Sequence, residues 1–335
     1  MARQLDIEIS NLVCRFGPSL VLNDLLEEVV IPAFFREDAR DFGETQFFFT
    51  EQTFDYLKKG DIDSLALRCR FIKSTVLRRH QVYSPSKGLV TDEKSLESAP
   101  SAIAILLLKS HRLLYVREVP HAPTPAQFGT TLKHFLRLSV TAFQNELYLA
   151  ERQGGTMVTK KAIKARYPSP EVDVIPVVSS ESLKHFVNRF ESLNTLKFEI
   201  APTNSELDNS EFFKMLRESK SKVASKKTVI QHHNPDGLNK AQCVSTVEAA
   251  KQGNAHIYMK GTDTNGDELK GNNENFSVRA TLEEPGEEYD ALAIDAYEKY
   301  EELVEDKVVV IGVPTRNDSE KLQDVFKRYQ ERSQS

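Results

Sequence analysis

The chain has 335 residues, 40% of them apolar and 28% charged, with a net charge of −5 at neutral pH. That length and apolar content allow a sizeable core and favour two domains, without a disulfide or metal staple. Three scattered cysteines (Cys14, Cys69, Cys243) with no C-x-x-C pair fit a reducing cytoplasm, and the overall charge does not mark a nucleic-acid binder.

Residues 4–16 alternate Leu5, Ile7 and Ile9 with polar neighbours and predict a strand. The N-terminus lacks the basic segment and long apolar run of a signal peptide. Residues 19–30 predict an amphipathic helix capped by Ser19, and 46–50 and 66–77 predict strands. Residues 83–88 read as a loop. Two apolar runs, 101–108 and 113–119, predict a hairpin across Lys109–Arg112; the first is too short to span a bilayer. After Pro123-Thr124-Pro125, apolar residues Phe128, Leu132, Phe135, Leu136, Val140 and Phe143 recur near the helical period, predicting a helix to about Glu151.

Gly154-Gly155 ends that helix and marks the expected boundary between domains at 1–153 and 156–335. A basic linker with Lys160, Lys161, Lys164 and Arg166 follows. Strand 172–178, helix 181–190 and strand 196–201 suggest a βαβ unit. Helices are expected at 210–217 and 238–252. Residues 255–303 read as strand, tight Asn265-Gly266 turn, strand, loop, strand and acidic helix. The apolar run 307–313 predicts a buried strand and 320–332 a closing helix. The fold class is α+β: two mixed α/β domains with largely antiparallel sheets.

Three blocks resemble a known family. They are 101–136, with its apolar hairpin and Pro-Thr helix entry; Leu196-Lys-Phe-Glu-Ile-Ala-Pro202 with the amphipathic helix after it; and Lys260-Gly-Thr-Asp263 through Tyr300. In that order the chain resembles the RexA-like phage-exclusion proteins and related bacterial defence proteins. The basic linker and the tail after Val308 have no counterpart there. The resemblance implies a cytoplasmic, homodimeric, non-enzymatic DNA-binding protein that senses phage infection and acts through a partner, a membrane protein or another defence component, as in abortive infection.

The residues themselves offer two basic groups. Lys214, Arg217, Lys220, Lys222, Lys226 and Lys227 are opposed within their span only by Glu218, and with Lys160, Lys161, Lys164 and Arg166 they could contact phosphates if the fold brings both together. The alternative is a solvated helix end and loop. Arg68 and Arg70 share one strand face by period 2, followed by Lys73, Arg78 and Arg79; they are either a second DNA contact or an exposed sheet face. The region 283–306 carries eleven Asp/Glu against one Lys. It reads as a solvated helix surface, or as a face that repels DNA or docks a basic partner.

No phosphate loop or nucleophile elbow occurs. No cofactor or metal is nominated. His232-His233-Asn-Pro-Asp-Gly237 reads first as a turn. Asp173 and Glu199, with that loop and a divalent ion, would be the parts of a nuclease effector, but no strand acid is followed by Glu-x-Lys. A scaffold that docks a partner on its acidic helix is the third reading.

Overall fold

The computed structural model describes residues 4–155, 157–204, 210–250 and 254–333, with the backbone alone at 77–80 and 92–94. Its strands in chain order are β1 (Gln4–Phe16), β2 (Leu20–Val21), β3 (Arg40–Phe42), β4 (Thr45–Tyr56), β5 (Leu65–Ser84), β6 (Gly88–Ser98), β7 (Ser101–Leu107), β8 (Arg112–Arg117), β9 (Pro170–Pro176), β10 (Phe190–Ile200), β11 (Val229–His233), β12 (Ala255–Asp263), β13 (Glu268–Asn272) and β14 (Arg279–Glu283). The helices are α1 (Ile31–Phe34), α2 (Pro125–Gln153), α3 (Lys160–Arg166), α4 (Ser180–Asn188), α5 (Glu211–Lys222), α6 (Lys240–Glu248), α7 (Tyr289–Glu305) and α8 (Ser319–Ser333). The fold is mixed α+β with largely antiparallel sheets, as the sequence predicts.

The first sheet runs β14-β1-β8-β7-β5-β4-β3, with β9 and β2 also on β1 and β6 on β5. The apolar run of β7 is explained by cover on both faces. Ala102, Ala104 and Leu106 face α2 and α8, while Ile103, Ile105 and Leu107 face α7. The abundance of Phe has its place on the α2 side, where the Phe49 ring lies 5.2–5.5 Å from those of Phe34, Phe71, Phe128 and Phe135. The helix α2 begins at a capping box: Thr124 Oγ1 accepts from Gln127 N at 3.2 Å, and Gln127 Oε1 accepts from Thr124 N at 2.8 Å.

The second sheet, β11-β10-β12-β13, packs one face on α4, α5 and α6 through Phe186, Phe198, Phe213 and Val247. Gly261 lies where β10 is irregular, and a Cβ there would fall 2.0 Å from Ser192 O, so no side chain fits.

Several expectations are corrected. The strands β9 and β10 form no βαβ unit. Strand β9 pairs antiparallel with β1 in the first sheet, and β10 founds the second. The long β1 is the reason. Only Ile7–Asn11 meet β8, and the opposite edge has backbone groups that need partners. It takes β14 along Gln4–Glu8 and β9 along Ser10–Phe16, end to end. The glycines at 154 and 155 end α2 as expected, but the sheets do not divide there: β9, β14, α7 and α8 all belong to the first sheet's layers. Residues 201–204 also return to β1, where Asn204 Oδ1 accepts from Cys14 N at 3.0 Å and Asn204 Nδ2 donates to Leu12 O at 2.9 Å.

The basic linker holds a two-turn helix, α3, capped by Thr159. Helicity expected from Ser19 starts at Leu22 instead, as a 3₁₀ turn and a π turn leading into α1, because Asp24 Oδ2 takes up Val21 N at 2.8 Å. The run 307–313 is no strand. Val309 is buried, Val308, Ile311 and Val313 are exposed, and Arg112 Nη2 donates to Val310 O at 2.8 Å. The expected helix 238–252 is shorter, and its last two residues lie outside the described ones.

Candidate nucleic-acid interface

Helix α3 is anchored by a single buried apolar side chain, Ile163, and by Tyr167 stacked edge-on against Phe143 of α2 at 5.0 Å. That leaves Lys160, Lys161, Lys164 and Arg166 exposed. Lys160 Nζ stands 5.3 Å from the Tyr148 ring, and Arg166 lies 3.6 Å from Glu151. No acidic residue occurs within α3 itself.

The second basic group divides by role. Arg217 Nη1 donates to Ala201 O at 2.5 Å and Lys220 Nζ to Ile200 O at 3.0 Å, tying α5 to the end of β10. Burial, with Arg217 beside it, lowers the Lys220 pKa. Lys227 pairs with Glu199 at 2.7 Å and Lys214 with Glu211 at 3.8 Å. Lys222 and Lys226 are exposed. The run is therefore part brace and part open cation.

The two groups flank one end of β1. Pro168, just past α3, lies against Gly17, where an added Cβ would be 2.8 Å from Pro168 Cγ. Two residues back, Arg15 donates to Thr203 O at 2.9 Å, and Arg217 is close enough to help lower its pKa after burial. Arg15 was not foreseen, because on a strand end it carries no run of like charge. Across the first sheet, on the opposite face, α7 buries Leu292, Ala293, Ala296, Tyr297 and Tyr300 and leaves Glu298, Glu302 and Glu305 exposed. The basic α3 and the acidic α7 thus belong to opposite layers.

Arg68 and Arg70 are corrected as DNA contacts. The Arg68 guanidinium is buried, 4% exposed, and bonds Asp55 at 2.6 Å and Asp290 of α7 at 3.0 Å, over the Tyr289 ring. Arg70 pairs with Glu118 at 2.9 Å and with Glu51. Their shared face is neither open sheet nor phosphate site; it is where α7 docks. The side chains of Arg78 and Arg79 lie outside the described residues.

The nuclease candidates are only partly assembled. Asp173 Oδ2 lies 2.6 Å from His256 Nε2, and Glu199 is the cross-strand neighbour of His256. His232 and His233 sit further along β11, opposite Leu196 and Thr195, with His233 Nδ1 3.0 Å from Thr195 Oγ1; the turn 234–237 is as expected, with Asn234 Nδ2 donating to Gly237 O. Among the described residues no three His, Cys, Asp or Glu side chains are placed to share a metal ion. The Asp173–His256 pair opens on a cleft of about 450 Å³ between α2, β9 and the outer face of β12, lined also by Gly129, Thr130 and Tyr258.

That pair joins the two sheets. The hydrogen bond to Asp173, opposed by burial, raises the His256 pKa. A raised folded value means the contribution to stability is full below about pH 6.5, the free imidazole value, and is lost as pH rises through the folded one. Melting temperature followed between about pH 5 and 9 should show a fall above pH 6.5 that a His256→Gln variant lacks. Parallel curves for the two proteins would show that the pair contributes nothing.

Neither a family model nor a curated protein matches this chain.

Proposed function

We propose that the chain is the non-enzymatic DNA-binding component of a phage-defence or exclusion system, acting in the cytoplasm as a homodimer and signalling to a partner protein. Duplex DNA would be held mainly through phosphates, with little base reading. The observation that carries the DNA reading is the separation of charge: α3, cationic and free of acid, lies in one layer, and α7, with its exposed carboxylates Glu298, Glu302 and Glu305, in the opposite one. Such a molecule has one face that attracts a polyanion and one that repels it, whatever its net charge. The defence setting and the dimer rest on the resemblance described above. Among the described residues no helix is long and apolar enough to cross a membrane, which leaves any membrane step to the partner.

Gel shifts across a salt series test this. Affinity should fall with salt with a log–log slope on the order of −4 to −8, as expected for several neutralised phosphates. No binding to any duplex at low salt, or binding indifferent to salt, would remove the DNA reading and leave a scaffold docked through α7. Light scattering on the same samples tests the dimer.

A second reading is favoured by one observation. Asp173 and Glu199, on different strands, both come to His256, with Lys227 on Glu199. Against it stands the lack of a third ligand for a metal among the described residues. The purified protein is expected not to cut DNA or RNA with Mg²⁺ or Mn²⁺. Cleavage that Asp173→Ala abolishes would promote the nuclease.

A further inference from the structure

Strand β11 is a sheet edge without the usual protection. Edges are blunted by charge, proline or shortness, because their free backbone groups otherwise pair with other strands. The strands β3, β6, β9, β13 and β14, each with one partner strand among the described residues, carry two or more charged residues apiece, and β2 is two residues long. β11 also has one partner strand, β10, but it reads Val-Ile-Gln-His-His, with no Lys, Arg, Asp, Glu, Pro or Gly.

The free groups of β11 have a definite phase. Ile200 N donates to Thr228 O at 3.0 Å and Asn234 N to Asn194 O at 2.9 Å, so the even-numbered residues turn their backbone toward β10. Val229, Gln231 and His233 therefore turn N–H and C=O outward, and no described residue takes these groups up. All three residues are exposed. Their spacing is symmetric about Gln231, so the edge is complementary to itself. Two copies running antiparallel about an axis at Gln231 form three hydrogen-bonded pairs: Gln231 with its own copy, and Val229 with His233 twice. That is about six backbone bonds. Ile230 comes opposite His232 of the second copy. Beyond the strand the same register sets Lys226 of one copy level with Asp236 of the other at both ends, so the flanking charges attract. The symmetry and these charges select a second copy over an unrelated strand.

We propose that β11 pairs with β11 of a second copy and joins the two second sheets into one of eight strands, four from each chain. This rests on the homodimer reading and supplies its interface. The contact is isologous, the same patch on both copies. Its two-fold axis stands perpendicular to the sheet, so α4, α5 and α6 of both copies lie on one side of it. The basic α5 of each copy is thereby presented on the same side of the assembly.

Sedimentation velocity on the full chain across a concentration series tests this. Wild type should run as a dimer. Gln231→Pro removes the central outward N–H of each copy and no hydrogen bond within the chain, which an edge strand tolerates. It should raise the dimer dissociation constant roughly ten- to a hundredfold, as expected for two lost backbone bonds. Two further variants do not touch the backbone. Gln231→Lys and Gln231→Glu each set like charges opposite one another at the axis, and each should dimerise at least severalfold more weakly than wild type. An equal mixture of the two should recover the dimer, because Lys then faces Glu. The side chain is exposed, so both should melt like wild type. A wild-type dimer that the charge variants retain undiminished would overturn the β11 contact and leave the homodimer to another surface. Charge variants that dissociate but do not recover on mixing would overturn the two-fold register. Wild type that stays monomeric throughout would sink the homodimer reading, and this pairing with it.

Discussion

A chain with Lys160, Lys161, Lys222 and Lys226 all changed to glutamate is expected to bind duplex DNA at least a thousandfold more weakly than wild type at 0.1 M salt. The four ammonium groups are exposed, two on α3, one at the end of α5 and one in the loop after it. Each phosphate neutralised on duplex DNA releases close to 0.9 of a counterion, which at 0.1 M salt corresponds to about 0.9 decades of affinity. Four lost contacts therefore remove three to four decades, before any repulsion from the new carboxylates, and make the salt slope shallower by about 4. Lys220 and Lys227 are left alone because they brace β10 through Ile200 O and Glu199. Exposed charges change stability by only about 0.5 kcal/mol each, so the melting curve should hardly move. A variant that melts normally and binds at wild-type strength would place the DNA face elsewhere.

The second large effect is on stability. Arg68 is a buried cation whose charge is met by Asp55 and Asp290. Replacing both acids by asparagine keeps the shape and removes the counter-charge, which leaves the guanidinium buried above Tyr289 without an anion. Breaking a buried pair from one side costs about 3–5 kcal/mol. We expect the lower end of that range, since both carboxylates are themselves partly exposed. Arg68→Met, which removes the charge as well as the pair, should cost clearly less. Urea unfolding of the three proteins checks the order. If the double asparagine variant is no weaker than Arg68→Met, the ion pair is not what joins α7 to β5.

These two predictions differ in how visible their residues were. The lysines of α3 and α5 stand out in the sequence because like charges cluster. Which of them stay open is a matter of nearby carbonyls and of Glu199, and so is legible only in the fold. Period 2 correctly puts Arg68 and Arg70 on one strand face, but of the two acids that neutralise Arg68 one, Asp290, lies 222 positions away. His256 gives no signal at all, being a lone histidine in a strand whose partner Asp173 belongs to the other sheet. Elements with strong local patterns were readable: β7 by its apolar run, α2 by its capping box and periodicity, and the order from β12 to α7 by the Asn-Gly turn. What was lost was pairing. An alternating segment announces a strand but not the neighbour it will choose, so β9 and β14 gave no hint that they leave the second sheet. Strands β6 and β11 are too polar to be seen, and one isoleucine was too little to mark α3 as a helix. The run 307–313 had the composition of a strand, yet its one fully buried side chain, Val309, is held in an irregular segment to which Arg112 donates at Val310 O.

The shared edge of β1 also sets the order in which this protein can be made. Its pairing is completed by β9 and then by β14, which ends at Glu283, near the far end of the chain. At a translation rate of 5–20 residues per second, that gap is on the order of tens of seconds. Until then β1 keeps at least the Gln4–Glu8 part of that edge unpaired, the kind of edge that pairs with whatever strand is nearest. The closing contacts are also very distant in sequence, which slows folding after release. A nascent chain that has not yet reached Glu283 therefore exposes a strand edge that the finished fold covers.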